Sequence, residues 1–118
     1  MITLKTLPQA TAQQVYDQVK AHLLKQGKKC TQTLEDEPIV RCRYKADGMS
    51  CAAGCLISDD EYKNIFEGIV WKDLVNLGHA PKDHEDLIVQ LQQLHDFREP
   101  EAWKYHFRVI AEKFNLIP

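Results

Sequence analysis

This chain of 118 residues has no long hydrophobic run. No stretch approaches the roughly 18 consecutive apolar residues that a membrane span requires, so no membrane contact is expected. Met1 to Ala10 lack the basic-then-apolar pattern of a secretion signal, and Pro8 interrupts them early. The expected location is the cytoplasm. Neither sign of charge dominates: 15 Lys and Arg against 17 Asp and Glu leave a formal net charge of -2. A protein built chiefly to grip nucleic acid normally shows a basic excess, so nucleic acid is not expected as a direct ligand. Glycine is sparse, five in all, and none belongs to a phosphate-cradling loop. Repeats, low-complexity tracts and linkers are missing as well. These absences leave one ordinary domain over residues 1–118, with 44% hydrophobic and 27% charged residues.

The four cysteines, Cys30, Cys42, Cys51 and Cys55, are separated by eleven, eight and three residues. A zinc site wants paired ligands, such as Cys-x2-Cys twice over, and that pattern is lacking. Without a secretion signal, free thiols filling a core are expected, with no disulfide framework, metal or cofactor. Charge is uneven along the chain. Residues 1–45 carry eight bases and four acids, net +4, and residues 46–118 carry seven bases and thirteen acids, net -6. Faces of opposite sign steer charged protein partners, although solvated helix surfaces also account for such runs.

Periodicity then supplies the elements. Thr11-Ala-Gln-Gln14 has the form of a capping box, and Ala12, Val15, Val19 and Leu23 recur at helical spacing, with Gly27 placed to end a helix over 12–26. After Pro38 the period becomes two. Val40, Cys42 and Tyr44 alternate with Arg41, Arg43 and Lys45, which predicts a strand with one buried and one basic face. Residues 30–34 can pair with it through Glu35-Asp36-Glu37-Pro38, and Asp47-Gly48 is a turn dipeptide. Ser50 is placed to cap a short helix starting at Cys51, and Gly54 to admit a neighbouring backbone. Ser58-Asp-Asp-Glu61 is a second capping box. Helices are further expected over Trp71–Leu77, from Pro81 and Asp83 to His95-Asp96, and from Pro100 to near Asn115. The fold class is α+β, mostly helical, with a small antiparallel sheet of two or three strands near the middle of the chain. The expected core includes Val15, Val19, Leu23, Val40, Cys42, Tyr44, Leu56, Leu87, Leu91, Trp103, Phe107 and Ile110.

Three constellations carry chemistry. A thiol at a helix start has its thiolate stabilised, so Cys51 is a candidate nucleophile, with His95 as its base and Asp96 to orient the imidazole. Cys51 nevertheless sits among alanines and suits core packing equally well, and His95-Asp96 also reads as a helix end beside a solvated acid. Arg41, Arg43 and Lys45 are the only plausible nucleic-acid stripe. Tyr44 points away from them, whereas stacking platforms need aromatics beside the bases. Asp59, Asp60 and Glu61 form an acidic helix start that can also face a protein.

Cys42-Arg-Tyr44, Asp47-Gly48, Cys51-Ala-Ala-Gly-Cys-Leu-Ile57 and Asp60-Glu-Tyr62, with the later Glu67-Gly68, Leu91-Gln-Gln-Leu-His-Asp96, Pro100 and Trp103, resemble a family of small phage and prophage proteins of no assigned activity. Ser58 departs from the proline of that pattern. The resemblance implies a protein that binds a host protein or complex in the bacterial cytoplasm, such as an inhibitor of a defence system of the anti-CRISPR kind. Asp59, Asp60 and Glu61 would then cover a basic surface of the target. The alternative is a small cysteine hydrolase or transferase using Cys51, His95 and Asp96.

Overall fold

A computed structural model describes residues 1–33 and 40–118. Helix α1 (Ala12–Gln26) begins where its capping box requires: Thr11 Oγ1 accepts from the Gln14 amide at 3.1 Å, and the Gln14 side chain accepts from the Thr11 amide at 2.9 Å. Gly27 closes it in the left-handed region, φ 70°. Val15, Tyr16, Val19 and Leu23 are the buried stripe. Tyr16 carries its hydroxyl into the core, where it donates to the Phe107 carbonyl at 3.0 Å while the two rings meet edge-on.

Strands β1 (Thr31–Thr33) and β2 (Val40–Cys42) pair antiparallel, with Thr31 opposite Cys42. Strands β3 (Lys45–Ala46) and β4 (Met49–Ser50) form a second two-stranded ribbon around Asp47-Gly48, whose φ values of 51° and 77° suit a two-residue hairpin. The segment predicted to join β1 to β2, Glu35 to Pro38, lies outside the described residues, as does the side chain of Val40.

The expected alternation fails after Cys42. Cys42 is exposed while Tyr44 is buried. The Arg43 amide still bonds the Cys30 carbonyl, but the Tyr44 amide turns to the Glu67 carboxylate at 2.9 Å. That exchange ends the ladder and bends the chain, so the two ribbons do not continue as one strand. Val40 apart, the other expected core positions are buried.

Nor does a helix start at Cys51. Residues 51–57 form tight turns ending in a 3-10 turn, Gly54–Leu56, which brings Gly54 against Tyr44. Ser58-Asp-Asp-Glu61 closes its reciprocal bonds, Ser58 amide to Glu61 carboxylate at 2.9 Å and Glu61 amide to Ser58 hydroxyl at 3.3 Å, but around a turn. Helices α2 (Trp71–Asn76), α3 (Glu85–Phe97) and α4 (Trp103–Lys113) complete the chain. Helix α3 starts later than Pro81 and Asp83 predict, because His84 adopts φ 60° and its Nε2–H donates to the Ala10 carbonyl at 2.7 Å. Helix α3 packs against α1, α2 and α4, so the core is organised around it. The α+β arrangement, mostly helical with two small antiparallel ribbons, is the expected class. No described helix is long and apolar enough to cross a membrane.

A Cβ on Gly54 would lie 2.1 Å from the Tyr44 carbonyl oxygen, whereas one on Gly48 would meet open space. Gly54→Ala is therefore expected to destabilise the fold by about 2 kcal/mol or more through backbone displacement. Gly48→Ala should cost about 1 kcal/mol, from its positive φ alone. Urea denaturation of both variants checks the order; equal losses would show that the contact at Gly54 is not tight.

Candidate binding cavity

An open cavity of about 490 Å³ lies between the bend after β2, residues 67–72 and helix α3. Several polar groups on its walls are already committed. The Glu67 carboxylate accepts from the Tyr44 amide at 2.9 Å, the Lys45 amide at 3.3 Å and the Tyr62 hydroxyl. Arg43 lies across this carboxylate at 3.7 Å and donates to Asn64 Oδ1 at 3.2 Å. On the opposite wall, Gln92 accepts from the Ala53 amide and donates to Asp96 Oδ1, both at 2.8 Å. Between these polar ends the lining is apolar, with Ile69, Val70, Val89 and Phe97. Phe97 is 75% exposed and Val70 64% exposed. Two donors on lining residues, Trp71 Nε1 and Arg43 Nε, are themselves sealed from solvent and have no acceptor among the described residues.

His95 stands behind this wall, fully buried and stacked on Trp103 with ring centroids 6.0 Å apart. Its Nε2 accepts from the Cys30 amide at 2.9 Å and its Nδ1 bonds Asp96 Oδ1 at 2.8 Å. An amide can only donate and a carboxylate can only accept, so these two bonds select the tautomer with the proton on Nδ1. Both ring nitrogens are thereby used, and neither is left to a thiol.

Cys51 lines the same cavity but is fully buried, and its sulfur accepts from the Gly54 amide at 3.2 Å. Burial raises its pKa well above the ordinary value, and the nearby Asp96 carboxylate adds to the rise despite that amide bond. The expected lowering at a helix start is thus reversed, for want of the helix. Burial likewise pushes Cys30 up to about 11 and Cys55 up to about 12, and Cys42, exposed as a residue but with its sulfur partly covered, rises to about 11 through that cover and the Asp96 carboxylate beside it. His95 and Asp96 are hydrogen-bonded to one another, but a hydrogen bond between Cys51 and His95 is absent among the described residues.

Cys42 brings its sulfur close to both. Its Sγ, a His95 ring nitrogen and an Asp96 oxygen lie within 4.8 Å of one another, a spacing a metal ion can use. The tautomer opposes that use. A metal on Nδ1 would move the proton to Nε2, against the Cys30 N–H. Cys42 and Asp96 alone fall short of the three or four protein ligands zinc takes.

The acidic triplet divides. Asp59 and Asp60 are exposed, with Asp59 3.3 Å from Lys45 Nζ. Glu61 instead accepts from the Leu4 and Lys5 amides, both at 3.0 Å, and so fastens the N-terminal segment. Burial alone would raise its carboxyl, but the amides of Ser58, Leu4 and Lys5 outweigh that and hold it below its ordinary value. The basic stripe is also engaged internally, Arg43 with Glu67 and Lys45 with Asp59. Glu67 and Gln92, which shape the cavity, were not among the predicted site residues; both stand in motifs quoted above or beside them, without a spacing that announces a role. Comparison with known protein families, curated proteins and solved structures finds no match for this chain.

Two predictions test these placements. Near neutral pH the native thiols should alkylate slowly, Cys42 first and Cys51 only on unfolding; mass spectrometry of labelled peptides reads the order, and rapid labelling of Cys51 would restore it as a nucleophile. For Glu61, the folded pKa lies below the unfolded one, so its contribution to stability is present above the ordinary carboxyl value of 4.5 and is lost as pH falls through the folded value. Glu61→Gln should therefore cost about 1 kcal/mol or more near pH 7 and reduce the loss on acidification. Parallel acid unfolding curves for the two proteins would contradict this.

Proposed function

We propose that this chain is a binding protein that acts by protein–protein interaction, with the cavity between α3 and residues 67–72 at the centre of its contact face. The observation that carries this reading is the mouth of the cavity, where Phe97 and Val70 stand largely exposed around a partly apolar hollow. Exposed large apolar side chains gathered at a concavity mark an interaction site. Protein interfaces concentrate their energy where an anchor fills such a pocket. The chemistry of the thiols points the same way, since a nucleophile needs a lowered pKa or an adjacent base and the cysteines here are raised.

Asp59 and Asp60 supply the charged flank of this reading, as carboxylates that steer a basic partner surface toward the molecule. The resemblance to phage and prophage proteins directs the choice of partner to a host complex, and a defence complex such as a CRISPR effector is the first to test.

Tagged protein, used to capture partners from lysate of the host cell, is expected to retain one complex at moderate salt. Phe97→Asp should abolish its capture. Asp59→Lys with Asp60→Lys should slow association, with an effect that fades as salt rises, and leave dissociation nearly unchanged. Capture that is indifferent to Phe97→Asp would place the contact face elsewhere.

A further inference from the structure

We infer that the occupant of this cavity is an arginine side chain of the partner, its stem among Ile69, Val70 and Val89 and its guanidinium between the Asp96 carboxylate and the exposed ring of Phe97. The inference rests on the reading that this face meets a protein.

The charge on Asp96 makes the case. Its side chain lines the cavity and is 28% exposed. Oδ1 accepts from His95 Nδ1–H and from the Gln92 amide, both at 2.8 Å. Both donors are neutral, because the Cys30 amide occupies the other lone pair of the imidazole. The Cys42 thiol close by is a weak donor and carries no charge either. Among the described residues no lysine or arginine lies within ion-pair distance of this carboxylate. Lys29 reaches only the Asp96 backbone carbonyl, at 3.3 Å, and its ion pair is with Glu99. A partly buried charge without a counter-charge is costly. The missing piece is a cation, and the cavity gives one access.

The rest of the lining narrows the class. Glu67 is already matched by Arg43 at 3.7 Å and makes no second demand. Lys72, on the wall facing α3, is exposed and stands outside ion-pair distance of Asp96. An anionic occupant would meet the Asp96 charge, and a neutral one would cover it unpaired. Apolar walls suit the methylene stem of a long basic side chain, and the Phe97 ring offers its face to a cation. Gln93 and Asp96 are three residues apart, so they share a side of α3. The second Asp96 oxygen and the Gln93 amide carbonyl are two acceptors there. They match the fork of a guanidinium better than the compact, strongly hydrated ammonium of lysine. Arginine is also enriched among the residues that dominate protein interfaces.

Propylguanidinium, the arginine side-chain analogue, tests this on the purified protein labelled with 15N and 13C. Its titration should move the Val89 methyl and Gln93 side-chain amide signals and saturate. Propylurea has nearly the same shape without the charge and should bind about 3- to 10-fold more weakly. Butylammonium, the lysine analogue, should also bind more weakly. Rising salt should weaken propylguanidinium and leave propylurea nearly unchanged. Asp96→Asn keeps an oxygen for His95 and removes the charge, so it should bring propylguanidinium down to the level of propylurea; if that variant does not fold, the titrations of the natural protein decide alone. Equal binding of propylguanidinium and propylurea would overturn the role of the charge, and equal or tighter binding of butylammonium would overturn arginine. No response at Val89 and Gln93 to propylguanidinium would overturn the inference, even if Phe97→Asp still abolished partner capture. A propylguanidinium response with capture indifferent to Phe97→Asp would overturn the protein partner and leave a pocket for small cations.

Discussion

The buried imidazole of His95 is the constraint on which the rest of this structure depends. Sealed from water, it needs a partner for each nitrogen, and it takes them from different parts of the chain. One bond reaches the Cys30 amide at the start of β1, the other reaches Asp96 on its own helix, and its face rests on Trp103 of α4. Asp96 passes the constraint on through Gln92 to the Ala53 amide. Helix, ribbon and the Cys51–Cys55 turns are thus positioned by one chain of hydrogen bonds, and that chain is the back wall of the cavity. Networks of this kind specify one geometry because a half-satisfied member is costly in a low dielectric.

Polar side chains do similar work elsewhere, because ribbons of two or three residues cannot hold themselves. Three glutamines of α1 each clasp a backbone segment through both ends of the amide. Gln18 takes Ile2, Gln26 takes Ser50, and Gln13 takes Ile117. Glu61 fastens the N-terminal segment and Glu67 fastens the bend after β2. A helical core with short ribbons is therefore closed by amide and carboxylate clamps where a larger sheet would use its own ladder.

This division explains what could be read from the sequence. The helices were legible because apolar spacing and caps are local: the box at Thr11 and Gln14, and the left-handed Gly27, mark α1 without any knowledge of the fold. Gly54 was legible as a point of close approach. Alternation misled at Cys42 because Glu67, distant in sequence, captures the Tyr44 amide and bends the strand. The short helix expected from Cys51 was misread for a related reason, since local pattern cannot show that the chain there turns without starting a helix. His95 and Asp96 were noticed as a pair, but their use as a clamp depends on the Cys30 amide. The cavity itself has no signature in the sequence, being formed by three segments that meet only in the fold.

Whether the Cys51, His95 and Asp96 reading can operate comes down to the state of one ring. A general base or metal ligand needs a free nitrogen lone pair, and the contacts of His95 leave none. Long-range 1H–15N correlation of the imidazole nitrogens reads this directly. The account predicts His95 with its proton on Nδ1 and its Nε2 bare, unchanged when zinc is added. A proton on Nε2, or a zinc-induced shift at Nδ1, would contradict the account and return the Cys42, His95 and Asp96 cluster to the centre of the chemistry.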